Sequence, residues 1–416
     1  MGWNPPLTGA LRDRALESAA ALMRSITTAR ATDQRSASLA GGTAGIAVCH
    51  AVAAQGGQDE RARALAGSCL ESAVEVLASQ PLSLSLYSGF PGIAWAADLV
   101  RRLLPGEDRD PSDDGHRNDD IDLALAGAIG RYPLGGPYDL IDGLVGLGSY
   151  ALVRWPRPAA AQCLAGVLEQ LAGRARRDAD GGFWPTPPEQ LGGPMRALYP
   201  AGGVDVGMAH GMAGILPLLA RACALGVSEA TARPLLDGAV QWIFASLADS
   251  PAGRTAPAFV AADGAPAPAR SAWCYGDPGV ALALLLAARD AGEPDWDLAG
   301  TELALRAASR PARLCGVSDA GLCHGAAGLA HLFARMHELT GRHELADAAT
   351  FWMERTMEMC DRFLNAGDAE PAWTGPGLLE GAAGIALVLL AGCQPAEPAW
   401  DQMRLISTGL PAPVSP

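Results

Sequence analysis

The sequence has little positive charge. It contains 31 lysine and arginine residues against 45 aspartate and glutamate residues, which gives a net charge of −14 and an isoelectric point near 4.9. Binding to nucleic-acid phosphates requires clustered lysine and arginine side chains. The composition therefore argues against a nucleic-acid partner.

Long uncharged apolar runs are also absent. No such run reaches the roughly 18 residues that a transmembrane helix needs. The N-terminus lacks the basic start and apolar run of a signal peptide. Nine cysteines are scattered over 416 residues and do not form the pattern of a disulfide framework. We therefore predict a cytoplasmic protein without a transmembrane segment. Hydrophobic residues make up 49% of the sequence, which suffices for a large core.

What the sequence does contain is a repeated Gly-x-x-Gly. A single copy would be interpreted as an ordinary helix-packing motif. This one occurs seven times, at intervals of 47 to 68 residues, which indicates a repeat architecture. The pairs are Gly42/Gly45, Gly89/Gly92, Gly143/Gly146, Gly211/Gly214, Gly276/Gly279, Gly325/Gly328 and Gly381/Gly384.

Apolar runs follow most of these pairs, and amphipathic stretches lie between them. A run such as Ile46–Cys49 is typical of a buried helix, whereas Leu11–Ile26 carries its charges on one side. The pattern predicts an all-α ring of seven outer and seven inner helices. One glycine of each pair is expected to permit positive φ, and the other to allow close backbone approach.

Strand signals are sparse in this sequence. Glycine, proline and aromatic residues predict an irregular, β-containing insertion at residues 178–206. Residues 251–270, rich in alanine, proline and glycine, are predicted to form a loop. No second domain is separable, so residues 1–416 are expected to form a single domain.

Chemically active side chains share a register with the first glycine of each pair. His210 and His324 stand one position ahead of that glycine. Cys274 and Cys323 stand two positions ahead, and Asp139 stands four positions ahead. If the repeats are structurally equivalent, these side chains converge at one end of the ring.

Cys274, Cys323 and His324 are candidate zinc ligands. Cysteine thiolate and imidazole are preferred by Zn²⁺, and three protein ligands with one open position are typical of a catalytic site. Two thiolates make the metal electron-rich, which favours thiol activation over hydrolysis. His331 lies in an apolar run and is interpreted as a core histidine, and the other seven cysteines are assigned to the core.

Together these motifs resemble the lanthionine synthetase C family, and the resemblance extends from about residue 38 to residue 390. It rests on the seven glycine pairs and on four motifs, namely Tyr138-Asp139-x-x-x-Gly143, Ala209-His210-Gly211, Trp273-Cys274-Tyr275-Gly276 and Cys323-His324-Gly325. The family fold is an α/α toroid of two nested rings of seven helices with zinc at the mouth. The resemblance implies acid–base roles for His210 and Asp139, an auxiliary cation at Arg270, and zinc on Cys274, Cys323 and His324.

The resemblance also implies a reaction. Members of the family add cysteine thiols of a dehydrated precursor peptide to dehydroalanine or dehydrobutyrine, which forms lanthionine thioether rings. A dehydratase in the same biosynthetic complex is a further expected partner. The length fits the stand-alone cyclases, whereas the segment before His210 is short for the β-rich extension that some of them carry. His210 could act as the acid or as the base.

Three alternatives remain at this level. One is a related enzyme that adds glutathione to dehydrated proteins. Another is a non-catalytic peptide-binding scaffold with a structural zinc. The third is an α/α-barrel glycosidase with paired carboxylates among Asp139, Asp142 and Glu380, which would leave the Cys-Cys-His set unexplained.

Overall fold

The computed structural model describes residues 2–26, 30–55, 59–104, 118–250, 253–366 and 375–409. Within these ranges the chain is mostly helical, and no helix is long and apolar enough to cross a membrane. The α-helices are α1 (Gly9–Ser25), α2 (Gln34–Ala37), α3 (Thr43–Ala54), α4 (Glu60–Ser79), α5 (Phe90–Leu103), α6 (Asp119–Ile129), α7 (Leu144–Arg154), α8 (Pro158–Arg174), α9 (Gly193–Leu198), α10 (Met212–Ala224), α11 (Glu229–Ser246), α12 (Asp277–Ala291), α13 (Pro294–Ser309), α14 (Ala326–Thr340), α15 (His343–Ala366) and α16 (Ala382–Ala391).

Seven of these helices begin directly after the first glycine of a pair, as the repeats predict. They are α3, α5, α7, α10, α12, α14 and α16. Such helices are apolar nearly all round, and every residue of α16 is buried. Seven amphipathic helices alternate with them, namely α1, α4, α6, α8, α11, α13 and α15. The all-α prediction with seven helices of each kind is confirmed.

The first glycine of each pair closes a tight loop. A Cβ on Gly89 would overlap the carbonyl oxygen of Ser83, six residues earlier, and the other first glycines lie equally close to their own preceding loop. Among the first glycines only Gly276 has a positive φ, of 86°. In the other six pairs glycine is therefore needed for space and not for a left-handed backbone, so the expected positive φ is wrong there.

The second glycine admits the neighbouring repeat. A Cβ on Gly92 would lie 2.9 Å from the Cβ of Leu39, which belongs to the preceding repeat. Likewise, a Cβ on Gly384 would lie 3.0 Å from the Cβ of Leu322. Both distances are shorter than ordinary van der Waals contact between carbons. The predicted close approach is thus confirmed at these positions.

The chain divides into two compact units. One consists of residues 1–123, 317–334 and 346–401, and the other of residues 124–316, 335–345 and 402–416. Each unit is assembled from segments that are distant in the sequence. The prediction that residues 1–416 form a single domain stays a prediction.

Backbone hydrogen bonds join successive loops within the first of these units. The Cys323 N–H donates to the Leu379 carbonyl at 2.8 Å, and the Leu378 N–H donates to the Ala40 carbonyl at 2.8 Å. Ala40 in turn donates to the Tyr87 carbonyl at 2.9 Å. The last repeat therefore lies beside the first, which a linear array would not allow.

The same pattern joins the loops of the other unit. The Leu140 N–H donates to the Ala209 carbonyl at 3.2 Å. The Met208 N–H donates to the Cys274 carbonyl at 3.0 Å. The third, fourth and fifth repeats are thereby connected at equivalent loop positions, two or three residues ahead of their first glycines.

Short strands form around the predicted insertion and beyond it. They are β1 (Arg176–Asp178), β2 (Gly181–Phe183), β3 (Gly203–Asp205), β4 (Ala248–Ser250), β5 (Gly253–Thr255), β6 (Phe259–Ala261) and β7 (Pro266–Ala267). β1 pairs with β2 and β4 with β5, while β6 lies between β3 and β7, all antiparallel. The β content predicted for 178–206 is confirmed, whereas the loop predicted for 251–270 is wrong because three strands form there.

The glycine contacts lead to a stability prediction. We expect Gly92→Ala to lower the free energy of unfolding by ~1–3 kcal/mol, the usual effect of overpacking, because the new methyl group meets Leu86 and Leu39. Urea unfolding followed by circular dichroism measures the change. Gly67→Ala in α4 is the control, since no atom lies near its added methyl group. Equal stability of the two variants would contradict the proposed role of the glycine pairs.

Candidate functional site

Asp139 and His210 form a hydrogen-bonded pair, as their register suggests. His210 Nδ1 lies 2.9 Å from Asp139 Oδ2. The other carboxylate oxygen of Asp139 accepts the Asp142 N–H at 2.7 Å, which fixes the carboxylate within its own loop. Since Nδ1 faces Asp139, Nε2 of the imidazole is the nitrogen left to exchange a proton with a substrate.

The surroundings of His210 favour its protonated form. Burial opposes protonation, but the hydrogen bond and charge of Asp139 outweigh it, together with the charges of Asp205 and Asp142, and raise the pKa of His210 to about 9. About 42% of the His210 side chain remains exposed, whereas only 13% of Asp139 is exposed. The imidazole is therefore a cation at neutral pH that solvent and substrate can reach.

A second carboxylate, Asp205, lies on strand β3 next to this pair. Its Oδ1 accepts the Gly207 N–H at 2.8 Å, and its Oδ2 accepts the Tyr275 hydroxyl at 3.0 Å. Burial raises the pKa of Asp205 to about 6, although the charge of His210 and these two hydrogen bonds act in the opposite direction. The Tyr275 contact ties the loop that carries His210 to the loop that carries Cys274.

The Cys274 loop is anchored at both ends by Arg310. This guanidinium donates to Ser271 Oγ at 3.0 Å and to the carboxylate of Asp277. Asp277 is 1% exposed and also accepts the Ala256 N–H at 2.6 Å. Burial raises the pKa of Asp277, while the Ala256 N–H and the Arg310 charge lower it. The loop is therefore fixed on both sides of Cys274, at Ser271 and at Asp277.

Cys323 and His324 lie in the turn that precedes α14, so the two neighbours are not on a regular helix. The Cys323 N–H donates to the Leu379 carbonyl at 2.8 Å. Asp319 Oδ2 lies 3.6 Å from His324 Nε2, and its Oδ1 accepts the Gly321 N–H at 2.8 Å. Asp319 is thus a carboxylate within ion-pair distance of His324.

Cys274, Cys323 and His324 form a group that could hold a metal ion. Each offers one ligand atom, and the three atoms lie within 4.8 Å of one another. Atoms that bind one tetrahedral zinc at ~2.0–2.3 Å stand ~3.3–3.8 Å apart, a separation that lies inside this limit. Cys274 is buried, and the other two are half-buried. The donor set therefore fits zinc in its chemistry, and the spacing of its atoms permits one.

Arg270, the predicted auxiliary cation, is differently placed. Its side chain is exposed, and no hydrogen bond or ion pair of that side chain is seen among the described residues. Its carbonyl oxygen lies against Gly276, where a Cβ would not fit. The backbone of Arg270 shapes the Cys274 loop, whereas the role of its guanidinium stays a prediction.

His331 belongs to the core and not to the ligand cluster. Its Nε2 lies 2.8 Å from Asp401 Oδ2, and both side chains are fully buried. The ring centroid is 5.6 Å from that of Trp3 and 4.7 Å from that of Trp400. The interpretation of His331 as a core histidine is confirmed. All nine cysteines are free thiols, and six of the seven outside the cluster are buried.

Three residues of the site are missed by the sequence reasoning. Asp205 and Asp319 each stand six positions ahead of the first glycine of their repeat. Alignment at that position would have found both of them. Arg310 directly follows α13 and has no register with any glycine, so no sequence signal identifies it.

The fold and the site define a member of one family of proteins. A family model described as lanthionine synthetase C-like protein matches residues 33–405, and the chain belongs to this family. Among solved structures, nisin cyclase is similar, with a TM-score of 0.75 and 21% sequence identity over 95% of this chain and 96% of that chain. The likeness confirms the predicted fold class, an all-α α/α toroid. Family membership also removes the glycosidase alternative.

The hydrogen bond between Asp139 and His210 leads to a titration prediction. We expect Asp139→Asn to lower the pKa of His210 from about 9 towards its ordinary value of ~6.5. NMR titration of the imidazole nitrogens measures this change. Asp249→Asn, at an exposed residue of β4, is the control and leaves the titration unchanged. A pKa near ~6.5 in the unaltered protein would contradict the cationic assignment.

Proposed function

We propose that this protein is a zinc-dependent lanthipeptide cyclase that acts on a dehydrated precursor peptide. The observation that carries the proposal is the Cys-Cys-His set, whose three ligand atoms lie within 4.8 Å of one another. Family membership and the fold of nisin cyclase support it. A dehydratase in the same biosynthetic complex and a cytoplasmic location belong to this proposal.

Cys274, Cys323 and His324 would hold the metal. Zinc in such a site lowers the pKa of a substrate cysteine thiol, so that the thiol reacts as a thiolate. Asp319 would keep the His324 ring in its binding orientation. Two thiolate ligands favour an electron-rich centre, which keeps the substrate sulfur nucleophilic.

His210 would serve as the general acid. The substrate sulfur adds to the β-carbon of dehydroalanine or dehydrobutyrine, a new C–S bond forms, and the electron pair of the double bond moves to an enolate. The α-carbon then takes a proton. Because its pKa is raised to about 9, His210 carries a proton at neutral pH and can donate it through Nε2. The raised pKa supports the acid role over the base role, which the sequence left open.

Asp139 and Arg270 would assist His210 in different ways. Asp139 holds the ring through Nδ1 and stabilises the imidazolium. Arg270 is proposed as the cation that stabilises the enolate oxygen. Its exposed side chain leaves it able to reach a bound peptide.

The zinc assignment gives the next prediction. We expect the purified protein to contain about one zinc per chain, since three ligands define one site. Cys274→Ala or Cys323→Ala removes the metal, and Asp319→Ala weakens zinc affinity by ~10–100-fold. Metal analysis and chelator competition measure these effects. Cys223→Ala is the control, because Cys223 lies outside the cluster. Protein purified without chelators and free of zinc would contradict the site.

Catalysis is tested separately from metal binding. We expect His210→Ala to keep its zinc and to lose ~10²–10⁴-fold of the cyclisation rate, the usual effect of removing a general acid. The measurement is the loss of alkylatable thiols in a dehydrated cysteine-containing peptide near pH ~6–7, where free thiolate is scarce. Peptide mass stays constant, because addition neither gains nor loses atoms.

Three outcomes would overturn this proposal. Loss of zinc from His210→Ala would make His210 a ligand and not the acid. A full thiol count in the peptide, combined with glutathione addition to dehydrated proteins, would establish the glutathione-adding alternative. Retained zinc with no reaction on either substrate would leave a peptide-binding scaffold.

A further inference from the structure

Residues 402–409 of the C-terminal segment belong to the same compact unit as α7, α10 and α12. At the beginning of this segment, the Ser149 hydroxyl of α7 donates to the Gln402 carbonyl at 3.3 Å. At its end, the Arg221 guanidinium of α10 donates to the Gly409 carbonyl at 2.6 Å. The segment is therefore fixed to two buried helices, one contact near each of its ends.

Arg404 is the one charged residue of this segment. Its side chain is fully buried, which is rare for arginine because the charge loses its hydration. The guanidinium carbon lies 4.7 Å from the centroid of the Trp273 ring, within the range of a cation–π contact. Trp273 is fully buried as well. The contact is thus shielded from water, and a cation–π contact is strongest under that condition.

The backbone beside Arg404 is strained. Arg404 ends a short 3₁₀ helix, Ala399–Arg404, and the next residue, Leu405, has a φ of 54°. That value lies in the left-handed region, which a residue with a β-carbon seldom adopts. Such a conformation persists only where the surrounding structure over-determines it. The position of Arg404 is therefore imposed by tertiary packing.

Trp273 connects this contact to the candidate zinc site. It directly precedes Cys274 in the turn ahead of α12. The Ala272 N–H donates to the Tyr275 carbonyl at 3.1 Å, which closes the turn around both residues. The Trp273 carbonyl oxygen would lie 2.3 Å from a Cβ on Gly279, so its backbone is packed against the first turn of α12. Because the indole and the thiol share one tight turn, a shift of the indole also shifts the thiol.

Packing alone does not require an arginine at position 404. Replacement of buried charged groups by apolar side chains of similar volume is often neutral or stabilising. Methionine is flexible and would fill similar space beside the indole. The guanidinium differs from methionine because its charge is attracted to the face of the ring, which favours one orientation of the indole.

We propose that Arg404 is a positioning residue for Cys274 and that it acts through the face of the Trp273 ring. The inference rests on the proposed function for the metal that Cys274 would bind. Residues that orient a metal ligand typically change metal affinity by ~10–100-fold when they are replaced. Arg404 takes no part in proton transfer at His210.

The first measurement is the zinc affinity of the full chain, obtained by chelator competition. We expect Arg404→Met to weaken zinc binding at least ~10-fold, because the indole loses the cation that orients it. Arg404→Lys keeps a cation near the ring and restores part of the lost affinity. Arg335→Met is the matched control and keeps the affinity of the unaltered protein. Arg335 is also fully buried, and it donates to Thr408 of the same segment at 3.3 Å.

The second measurement does not depend on a metal. Iodoacetamide modification of each cysteine in zinc-free protein is followed by mass spectrometry of its peptides. Cys274 is 7% exposed, and we expect Arg404→Met to raise its alkylation rate at least ~10-fold because the turn opens more often. Cys323, whose N–H bonds to the Leu379 carbonyl, is the internal reference and keeps its rate. Arg335→Met leaves both rates unchanged.

The inference is overturned if Arg404→Met keeps both the zinc affinity and the Cys274 alkylation rate of the unaltered protein. It is also overturned if Arg335→Met changes both quantities equally, because the effect would then be general to the core. If Arg404→Met does not fold, Arg404→Lys and Trp273→Phe replace it, since each weakens the contact without abolishing it. An intermediate Cys274 alkylation rate in these two variants supports the inference, and an unchanged rate in both overturns it.

The positioning role and the proposed function can fail separately. If the unaltered protein binds no zinc and Arg404→Met still exposes Cys274 to alkylation, the proposed function fails and the positioning role stands. If Arg404→Met binds zinc and cyclises a dehydrated peptide as the unaltered protein does, the proposed function stands and the positioning role fails.

Discussion

The close packing of the first glycine of each pair, which has no side chain, against its preceding loop is the constraint on which the rest of the structure depends. Each first glycine lies against the chain four to six residues earlier, so a Cβ there would overlap the loop. The intervening residues are forced into a tight turn ahead of a buried helix. His210 and Cys274 both lie within such turns, so the packing that shapes the turns also positions these two side chains.

This constraint explains why much of the site could be predicted from the sequence. Distance along the chain from a glycine fixes the position of a residue in its turn, so alignment on the glycines brought out His210 and Cys274. Asp205 and Asp319 obey the same rule at the position six residues ahead of their first glycines. Arg310 does not obey it, because its contact with the Cys274 loop depends on how α13 packs. The strands between residues 248 and 267 were missed because they form through pairing, of β6 with β3 and β7, and of β4 with β5.

The protonation state of His210 could not be predicted in the same way. Spacing placed one carboxylate, Asp139, beside the imidazole. The structure adds Asp142 and Asp205, and burial opposes the charge that these groups favour. The balance of these opposed effects raises the pKa to about 9. This balance depends on the distances between separate loops, and those distances cannot be obtained from the sequence. The proposed acid role therefore depends on tertiary packing, whereas the residue itself was identified from its register.

Three aspartates in these turns share one arrangement. In each of them one carboxylate oxygen accepts an N–H of its own loop, which leaves the other oxygen to orient a functional side chain. Asp139 faces His210, Asp205 faces Tyr275 and Asp319 faces His324. A carboxylate whose first oxygen is already fixed by its loop loses little further conformational freedom when its second oxygen makes a contact. The fifth repeat carries arginine at the position of Asp205 and Asp319, and it alone has a first glycine with positive φ. In that repeat the ion pair between Arg310 and the buried Asp277 anchors the Cys274 loop by charge instead of by a turn.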